Sequence, residues 1–576
     1  MLLRLLLLPL VALLRLLLWP IRAFRRTRAA TPGALLEVTI RGSVPEGPPR
    51  PEPRWSLRGI VQRRRRSRTL RLPALRKLID EAIVDPRVAG LLVTMHPLGD
   101  GWASLEALRE ELVRVRAAGK RLVVWLPQGA GNREIYVASA GTTLVAPPTV
   151  DVALTGIKSE RHFLRGALDL AGLDVELHAR KEFKSAADGL VRSDRSPGDR
   201  LQSTAIVEAI DRALVSAIAD GRKLDDVAAR ALLDAGPTRA SVAKERGLID
   251  LVGHDDDLEV LLGAKLQPAS RYLEKRRALR DLRPLLPRRR KVIAIVEVHG
   301  TITSGATPLA RAMGPVALEE QVVADLRAAE RDPRVAAVVL DVDSRGGTVT
   351  ASDAMYAAAA RLARKKPVIA RMADVAASGG YYVASAGRAI VARPLTLTGS
   401  IGVVAARPIA ARLADRLGIT RDVIARGRYA DLDAVTRAPT DDERALIARE
   451  IDGHYESFVG IVAGARGRPF DEIEPLARGR VYVGSEAHDK RLVDHLGGLD
   501  RALALAREAV PGVVLDDEPS VIAARLPSRR LDADSEKRAS IALSMIVELL
   551  PDALRRALAP AAAVAFERAR VLALMP

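Results

Sequence analysis

Residues 373–402, ADVAASGGYYVASAGRAIVARPLTLTGSIG, decide the fold prediction, because this stretch contains both a candidate nucleophile and a hexapeptide that recurs elsewhere in the chain. Ser378 precedes Gly379, Gly380 and a segment with a helical pattern. A turn of small residues before a helix can expose a serine hydroxyl, and the first helix amides then point at the carbonyl that it attacks. Taken alone, the stretch is equally well interpreted as a Gly-rich turn between a strand and a helix.

The chain contains the same module twice, at an offset of about 246 residues. The hexapeptide YVASAG at residues 136–141 recurs at 382–387 (382 minus 136 gives 246). DPRVA at 85–89 recurs at 332–336, and AKERGLIDLVG from residue 243 matches AHDKRLVDHLG from residue 487. Matching segments in the same order indicate a duplication. In each copy, strands of about five to seven residues alternate with helices of about ten to fifteen, which predicts an α/β fold with a mainly parallel, helix-covered sheet.

The sequence predicts five parts. They are an N-terminal membrane anchor (1–30), a first copy (34–262), a linker (263–289), a second copy (290–510), and a linker with an apolar amphipathic tail (511–576). The first copy also contains a proline- and arginine-rich insertion, residues 46–71, which we expect to be an exposed arm.

The N-terminal segment, MLLRLLLLPLVALLRLLLWPIRAF, is strongly apolar. Its apolar part, about 19 residues long, could just span a bilayer. Arg4, Arg15, Arg22 and Arg26 share one helical face, and charges are costly inside a bilayer but not at its surface. A transmembrane anchor, an interfacial anchor and an uncleaved signal remain open. The arginine-rich sequence that follows offers no small-residue cleavage site, which favours a retained anchor.

Composition excludes several kinds of chemistry. The 576 residues include no cysteine, which excludes disulfides, thiolate catalysis and cysteine-based zinc sites. The eight histidines show no HExxH spacing, so we expect no metal and no cofactor. The net charge of +19 indicates an acidic partner. Because the basic runs lack interleaved aromatic residues and any nucleic-acid motif, we expect no nucleic-acid partner. Proximity to a membrane or a generally basic proteome is the favoured cause of the charge.

The two copies differ at the residues that would perform chemistry. Ser378 aligns with Asn132, whose amide cannot be a nucleophile, and Lys184 aligns with Ala430. This complementary loss predicts one active site that takes its serine from the second copy and its lysine from the first. Lysine can deprotonate serine only if its pKa falls from about 10.4 toward 7–8, so Lys184 should lie in a partly apolar cleft. Ser400, in TGSIG, is the candidate orienting group, with an ordinary turn serine as the equal alternative.

Two glycine turns predict an oxyanion hole. DSRGG at residues 343–347 lies between a predicted strand and a helix that begins near residue 351. Glycines allow the backbone to approach a substrate and to present N–H groups, so we expect the amides of Gly347 and Gly379 to bind the oxyanion. The equivalent stretch of the first copy, HPLGDGWAS, has lost the adjacent glycine pair.

Over about residues 34–510 the chain resembles the signal peptide peptidase A (protease IV) family in its long, duplicated bacterial form. The resemblance is carried by ASGGYY with TGSIG downstream, FKSA with Ser-Pro at 196–197, the DSxGGTVTAS segment and the GLIDLVG-type module ends. It implies tandem ClpP/crotonase-like domains and a membrane-attached serine endopeptidase whose Ser–Lys dyad is Ser378 and Lys184. One departure is Arg345, where the family usually has proline, which leaves the oxyanion backbone less constrained.

The resemblance also implies partners and a location. The expected substrates are residual signal peptides, and the expected assembly is a homo-oligomeric bowl, a tetramer in the family. The expected location is the bacterial inner membrane, with the catalytic body on the periplasmic side.

Three other functions are weighed against the peptidase. An acyl-CoA enzyme of the crotonase type would need a carboxylate acid/base pair in the cleft, and no such pair stands out. A non-catalytic scaffold would have no need to keep both the serine and the lysine. A serine–histidine–carboxylate hydrolase would be expected to place its serine in a GxSxG elbow, whereas residues 376–380 read AASGG.

Overall fold

The computed structural model describes residues 29–48, 70–280, 290–305, 314–516 and 519–524. Nearly all of the predicted N-terminal anchor, most of the 46–71 insertion and the apolar tail lie outside these residues. Within the described ranges, no helix has the length and apolarity needed to cross a bilayer.

The strands are labelled β1 to β21 in chain order. They are β1 Ala34–Gly42, β2 Val88–Leu98, β3 Arg121–Trp125, β4 Ala130–Gly131, β5 Thr143–Ala146, β6 Asp151–Ala153, β7 Asp174–Arg180, β8 Thr238–Arg239, β9 Leu251–Val252, β10 Leu266–Pro268, β11 Val292–His299, β12 Thr301–Thr303, β13 Val316–Leu318, β14 Val335–Ser344, β15 Val368–Ala377, β16 Ala389–Ala392, β17 Leu397–Gly399, β18 Val403–Ile409, β19 Val481–Val483, β20 His495–Leu496 and β21 Ser520–Val521.

Helices alternate with these strands, as the sequence predicts. The α-helices are Leu72–Val84, Trp102–Ala117, Asn132–Ala138, Arg165–Ala171, Asp188–Val191, Pro197–Arg222, Asp226–Asp234, Ala240–Glu245, Leu258–Leu262, Ala269–Arg280, Glu319–Arg331, Val349–Ala363, Gly379–Ala384, Ala411–Arg416, Asp441–Arg466, Phe470–Ile473, Gly484–Asp489 and Leu499–Glu508. Among the described residues, short 3₁₀ helices span Asp255–Asp257 and Glu474–Leu476.

The described chain forms two compact units whose limits differ from those of the repeat. The first unit contains residues 29–48, 70–160, 203–280 and 290, and the second contains 161–202, 291–305, 314–516 and 519–524. The repeat assigns residues 161–202 to the first copy, yet this segment packs with the second. Lys184 and Ser378 therefore belong to one compact unit, although their sequence copies differ.

The first unit is built on a parallel sheet. Its strand order is β10-β1-β2-β3-β5-β9, and every neighbouring pair is parallel. The strands are short apolar runs buried on both faces, as expected for a parallel sheet covered by helices. Leu35, Leu92, Val123 and Trp125, for example, pack together in a buried cluster. A small second sheet has the order β4-β6-β8.

The second unit repeats this topology. Its parallel strands follow the order β21-β11-β14-β15-β16-β20, which matches the first unit strand for strand. The end of β15 also pairs with β17, and β17 pairs with the antiparallel edge strand β19. The end of β15, β17 and β19 correspond in this order to β4, β6 and β8 of the first unit. The predicted duplication and the predicted parallel α/β sheet are both confirmed.

Both predicted linkers contain strands that pair with the two sheets. In the 263–289 segment, β10 pairs with β1, and the helix Ala269–Arg280 follows it. Tyr272 of that helix is fully buried and its hydroxyl donates to the Glu81 carbonyl at 3.1 Å. In the 511–576 segment, β21 pairs with β11. Edge strands of two or three residues are too short to show a hydrophobic period.

An antiparallel pair inside the second unit positions the lysine. β7 runs alongside β18 over seven residue pairs, from Val403 opposite Arg180 to Ile409 opposite Asp174. The long helix Asp441–Arg466 packs on both strands, and its Asp452 forms an ion pair with Arg180. Because β7 ends four residues before Lys184 and β18 begins three residues after Ser400, this pairing draws the two sites together.

Candidate active site

Ser378 lies at a strained turn between β15 and the helix Gly379–Ala384, as the sequence predicts. Its φ of 55° and ψ of −122° are unusual for a residue with a side chain, and such backbone strain costs on the order of 1–3 kcal/mol. The turn is fixed by a hydrogen bond from Ser378 N to Gly399 O at 2.9 Å. Gly379 is required here, because a Cβ at this position would lie 2.3 Å from Ser352 Oγ.

Lys184 reaches this turn from the loop that follows β7. Its Nζ lies 2.9 Å from Ser378 Oγ, 2.8 Å from Ser400 O and 3.0 Å from Ser400 Oγ. The lysine is 5% exposed. The structure therefore brings together three of the residues predicted from the sequence, Lys184, Ser378 and Ser400.

The surroundings of Lys184 favour its neutral form. Burial lowers the pKa of this amine to about 7, because desolvation disfavours the ammonium ion. Within the described part of the chain, no carboxylate contacts Nζ to restore the charge. A neutral amine has two N–H donors and one lone pair. It can thus donate to both oxygens of Ser400 while it accepts the Ser378 hydroxyl proton.

Ser400 is held by its backbone between β17 and β18. Its φ is 51°, and its N–H donates to Arg480 O at 2.6 Å. This conformation directs both the carbonyl and the hydroxyl of one residue at Lys184 Nζ. Ser400 therefore has the contacts of the predicted orienting group, and its catalytic contribution remains a prediction.

The two predicted oxyanion amides lie beside Ser378. A Cβ built on Gly379 would lie 3.3 Å from Gly347 N, and one built on Gly346 would lie 2.7 Å from Gly379 N. Among the described residues, neither the Gly347 nor the Gly379 amide donates a hydrogen bond. Unsatisfied N–H groups next to a candidate nucleophile are what an oxyanion hole requires.

The loop that contains Arg345 is held without the proline. The Ser344 hydroxyl donates to Gly300 O at 2.6 Å and accepts from Gly346 N at 3.1 Å. Beyond it, Ile302 N donates to Gly346 O, and Ile302 O accepts from Thr348 N, both at 3.0 Å. These bonds on both sides of the turn supply the constraint that proline would otherwise provide.

The first unit lacks this chemistry at the equivalent position. Asn132 Nδ2 donates to Gly156 O at 2.8 Å, and Asn132 Oδ1 accepts from Thr155 N at 3.0 Å. The amide therefore links two backbone segments where the second unit has a hydroxyl. Ala430, the counterpart of Lys184, lies on an exposed turn.

Gly479 supports the lysine loop, and sequence reasoning missed it. Gly479 has a φ of +81°, and its N–H donates to Ile401 O at 2.8 Å. A Cβ at this position would lie 2.6 Å from both the N and the Cβ of Lys184. The loop of Lys184 thus packs directly against the backbone of Gly479, where no side chain would fit.

We expect Gly479→Ala to displace the Lys184 loop, since the new methyl group would collide with its backbone. The cost in stability should be about 1–3 kcal/mol, with a loss of activity larger than the loss of folded protein explains. Gly453→Ala is the matched control, because Gly453 lies in the helix Asp441–Arg466 with open space around its Cβ position. Thermal unfolding and peptidase assays of both variants check this, and unchanged activity in Gly479→Ala would contradict it.

An α/β fold that brings together a serine hydroxyl, a buried lysine and two amides that donate no hydrogen bond to any described residue is typical of a serine hydrolase. The chain belongs to Peptidase family S49, whose family model matches residues 114–265 and 360–511. The two matched regions confirm the predicted tandem, ClpP-like α/β fold.

Relatives of known name support the same class. The chain is 33% identical over 489 residues to the chloroplastic serine protease SPPA of Arabidopsis thaliana, covering 83% of this chain and 71% of that protein. It is 28% identical over 444 residues to Protease 4 of Salmonella typhi, with 75% and 70% covered, and 26% identical over 450 residues to Protease 4 of Haemophilus influenzae, with 75% and 72% covered. The predicted serine peptidase is confirmed, and the family membership disfavours the acyl-CoA enzyme and the scaffold.

Proposed function

We propose that this serine peptidase cleaves peptide bonds with Ser378 as the nucleophile and Lys184 as the general base. The observation that carries the proposal is the 2.9 Å contact between Lys184 Nζ and Ser378 Oγ, made by a buried amine that contacts no carboxylate within the described residues. Serine becomes an effective nucleophile when a positioned base removes its proton during attack.

The proposed reaction has two halves. As Ser378 Oγ bonds to the substrate carbonyl carbon, its proton passes to Lys184 Nζ, and the amides of Gly347 and Gly379 stabilise the negative oxygen. The protonated lysine then donates to the departing amine, which leaves an acyl-enzyme. A water molecule loses its proton to the same lysine and attacks the ester carbon, and the lysine returns this proton to Ser378 Oγ as the C–O bond breaks. Ser400 orients Nζ throughout.

The pH dependence tests the base. Because the pKa of Lys184 is lowered to about 7, we expect kcat/KM to rise about tenfold per pH unit below pH 7 and to level off above it. The sign follows from the base, which must be neutral to accept a proton. Initial rates on an unfolded leucine- and alanine-rich peptide from pH 5 to 9 provide the measurement. A rise in kcat/KM centred near pH 10, the usual pKa range of a lysine amine, would contradict a desolvated base.

We propose residual signal peptides as the physiological substrates. Support comes from the resemblance to the signal peptide peptidase A family and from the apolar, arginine-bearing segment 1–30, which is suited to a membrane where cleaved signal peptides remain. A synthetic signal peptide should be degraded faster than a polar peptide of equal length. Equal rates for the two peptides would contradict this preference.

Membrane attachment through residues 1–30 is also proposed, at the bacterial inner membrane with the catalytic body on the periplasmic side. Its support is the apolar sequence and the arginine face described above. Deletion of these residues should move the protein from the membrane fraction to the soluble fraction. Continued sedimentation with membranes would instead implicate the tail after residue 524.

A homo-oligomer, a tetramer in the family, is proposed as the assembly. The second unit exposes apolar side chains close together in sequence, with Leu417 58%, Ile419 57% and Ile424 99% exposed. Such side chains are typical of surfaces covered by another subunit. Light scattering of the detergent-solubilised protein measures the subunit number, and Ile424→Glu should lower it. A monomeric wild type would contradict the proposal.

A further inference from the structure

We propose that Gln202 is a positioning residue that keeps Lys184 desolvated and aimed at Ser378; this rests on the proposed function. Gln202 lies in the second turn of the helix Pro197–Arg222 and is 4% exposed. Its Nε2 donates to Phe183 O at 3.2 Å and to Ser185 Oγ at 3.0 Å, and its Oε1 accepts from Val481 N at 3.0 Å. The two donor contacts are with the residues on either side of Lys184.

The third contact connects the lysine loop to the strand that supports Ser400. Val481 begins β19 and is paired with Gly399, the residue before Ser400. The preceding residue, Arg480, accepts the Ser400 N–H at 2.6 Å. One amide side chain thus fixes the lysine loop relative to the backbone that holds Ser400. The positions of Ser400 O and Ser400 Oγ, which both bind Lys184 Nζ, depend on this connection.

A network of ion pairs orients the Ser185 hydroxyl, which accepts a hydrogen bond from Gln202 Nε2. Ser185 Oγ donates to Asp199 Oδ1 at 2.8 Å, which leaves its lone pairs available to the Gln202 amide. The Asp199 carboxylate is in turn bound by Arg195 at 2.8 Å and by Arg161 at 3.1 Å. Every polar atom of the Gln202 side chain therefore has a partner, as a buried amide requires.

The duplicate copy provides an independent comparison. The helix that begins at Pro197 corresponds to the one that begins at Asp441, an offset of 244 residues. The position of Gln202 then falls on Leu446, which cannot form these hydrogen bonds. The amide is thus present in the copy that has the lysine and absent from the copy that lacks it.

The test is Gln202→Leu, which preserves side-chain bulk but removes all three hydrogen bonds. A loosened loop should hydrate Nζ and raise the pKa of Lys184 toward its ordinary value. The acid limb of kcat/KM should therefore move up by about one pH unit, which lowers activity about fivefold at pH 7 and about tenfold well below it, and restores activity near pH 9. A lower melting temperature with an unmoved acid limb would reduce Gln202 to a packing residue and overturn the proposal.

Gln267→Leu is the matched control. Gln267 is also buried, at 7% exposed, and it also links backbone segments: Nε2 donates to Ala29 O at 2.8 Å and Oε1 accepts from Thr31 N at 3.0 Å. It belongs to the other compact unit. Its loss should lower stability without moving the pH profile. Gln202→Glu, which retains the acceptor for Val481 N, serves if the leucine variant fails to fold.

A measurement independent of turnover separates the two proposals. In a Ser378→Ala background, the pH dependence of Lys184 acetylation by acetic anhydride, followed by mass spectrometry, reports the pKa of its amine. We expect a midpoint near 7 that rises by about one unit in Gln202→Leu. If the midpoint rises while Lys184→Met retains full peptidase activity, the positioning role stands and the proposed dyad fails. An unmoved midpoint overturns the positioning role alone.

Discussion

Replacing Ser378 with alanine is expected to abolish peptidase activity, with a loss on the order of 10⁶-fold, the scale at which nucleophile removal acts in serine peptidases. Alanine leaves the oxyanion amides and the substrate cleft in place but removes the atom that forms the acyl-enzyme. Because Ser378 makes no side-chain cap bond and Lys184 Nζ keeps both contacts with Ser400 when the Ser378 hydroxyl is lost, the substitution should change stability little. Initial rates on an apolar peptide, with circular dichroism to verify folding, measure the effect.

Ser385→Ala is the matched control for this experiment. Ser385 is a buried serine seven residues downstream, and its hydroxyl donates to Tyr381 O at 2.9 Å, as Ser139 donates to Tyr136 O in the first unit. Its removal should leave turnover close to that of the wild type. Substantial turnover in Ser378→Ala, or equal losses in both variants, would rule out Ser378 as the nucleophile.

Replacing Lys184 with methionine should reduce kcat/KM by about 10⁴-fold, the upper range for loss of a general base. Methionine preserves the apolar stem and its packing against Gly479 while it removes the lone pair that receives the Ser378 proton. Lys181→Met is the control, because Lys181 is three residues upstream, half-exposed and paired with Glu474 at 2.8 Å. A surface pair of this kind contributes little, so its activity should persist. Comparable activity in both variants would contradict the proposed base.

The same variant should remove a pH dependence of stability. In the unfolded chain Lys184 holds its proton up to about pH 10.5, whereas in the folded chain it loses the proton near pH 7. Between these values the unfolded state binds more protons, so the free energy of unfolding contributed by this group rises with pH. The free energy of unfolding of Lys184→Met, measured relative to that of the wild type, should therefore be higher at pH 7 than at pH 10. Urea unfolding of both proteins at these two pH values checks the sign.

Most of the fold could be predicted because duplication makes the sequence its own comparison. The repeated YVASAG segment set the offset, and the alternating apolar runs predicted the parallel sheet that both units contain. The same offset aligns Asn132 with Ser378 and Ala430 with Lys184, so the sequence alone identifies the candidate pair. Complementary differences between two copies of a module are informative without other relatives.

What the sequence could not predict depends on contacts between distant segments. The repeat places Lys184 with the first copy, and the sequence hypothesis therefore made the site depend on the docking of two domains. In the structure, residues 161–202 belong to the second compact unit, because β7 pairs with β18. Strand pairing across more than 200 residues leaves no local pattern. The same reason explains why the sequence does not reveal the roles of Gly479 and Gln202. Each role depends on a contact with the Lys184 loop, and neither residue belongs to a recognisable sequence motif.

The most direct test of the central claim is reaction of the protein with a fluorophosphonate, which bonds to an activated serine oxygen as fluoride leaves. Peptide mapping by mass spectrometry identifies the labelled residue, and the labelling rate reports its activation. A Ser–Lys dyad predicts a single adduct on Ser378, formed at a rate that rises with pH through about 7 and falls to background in Lys184→Met. An adduct on another serine, or labelling of Ser378 at an equal rate in Lys184→Met, would contradict it.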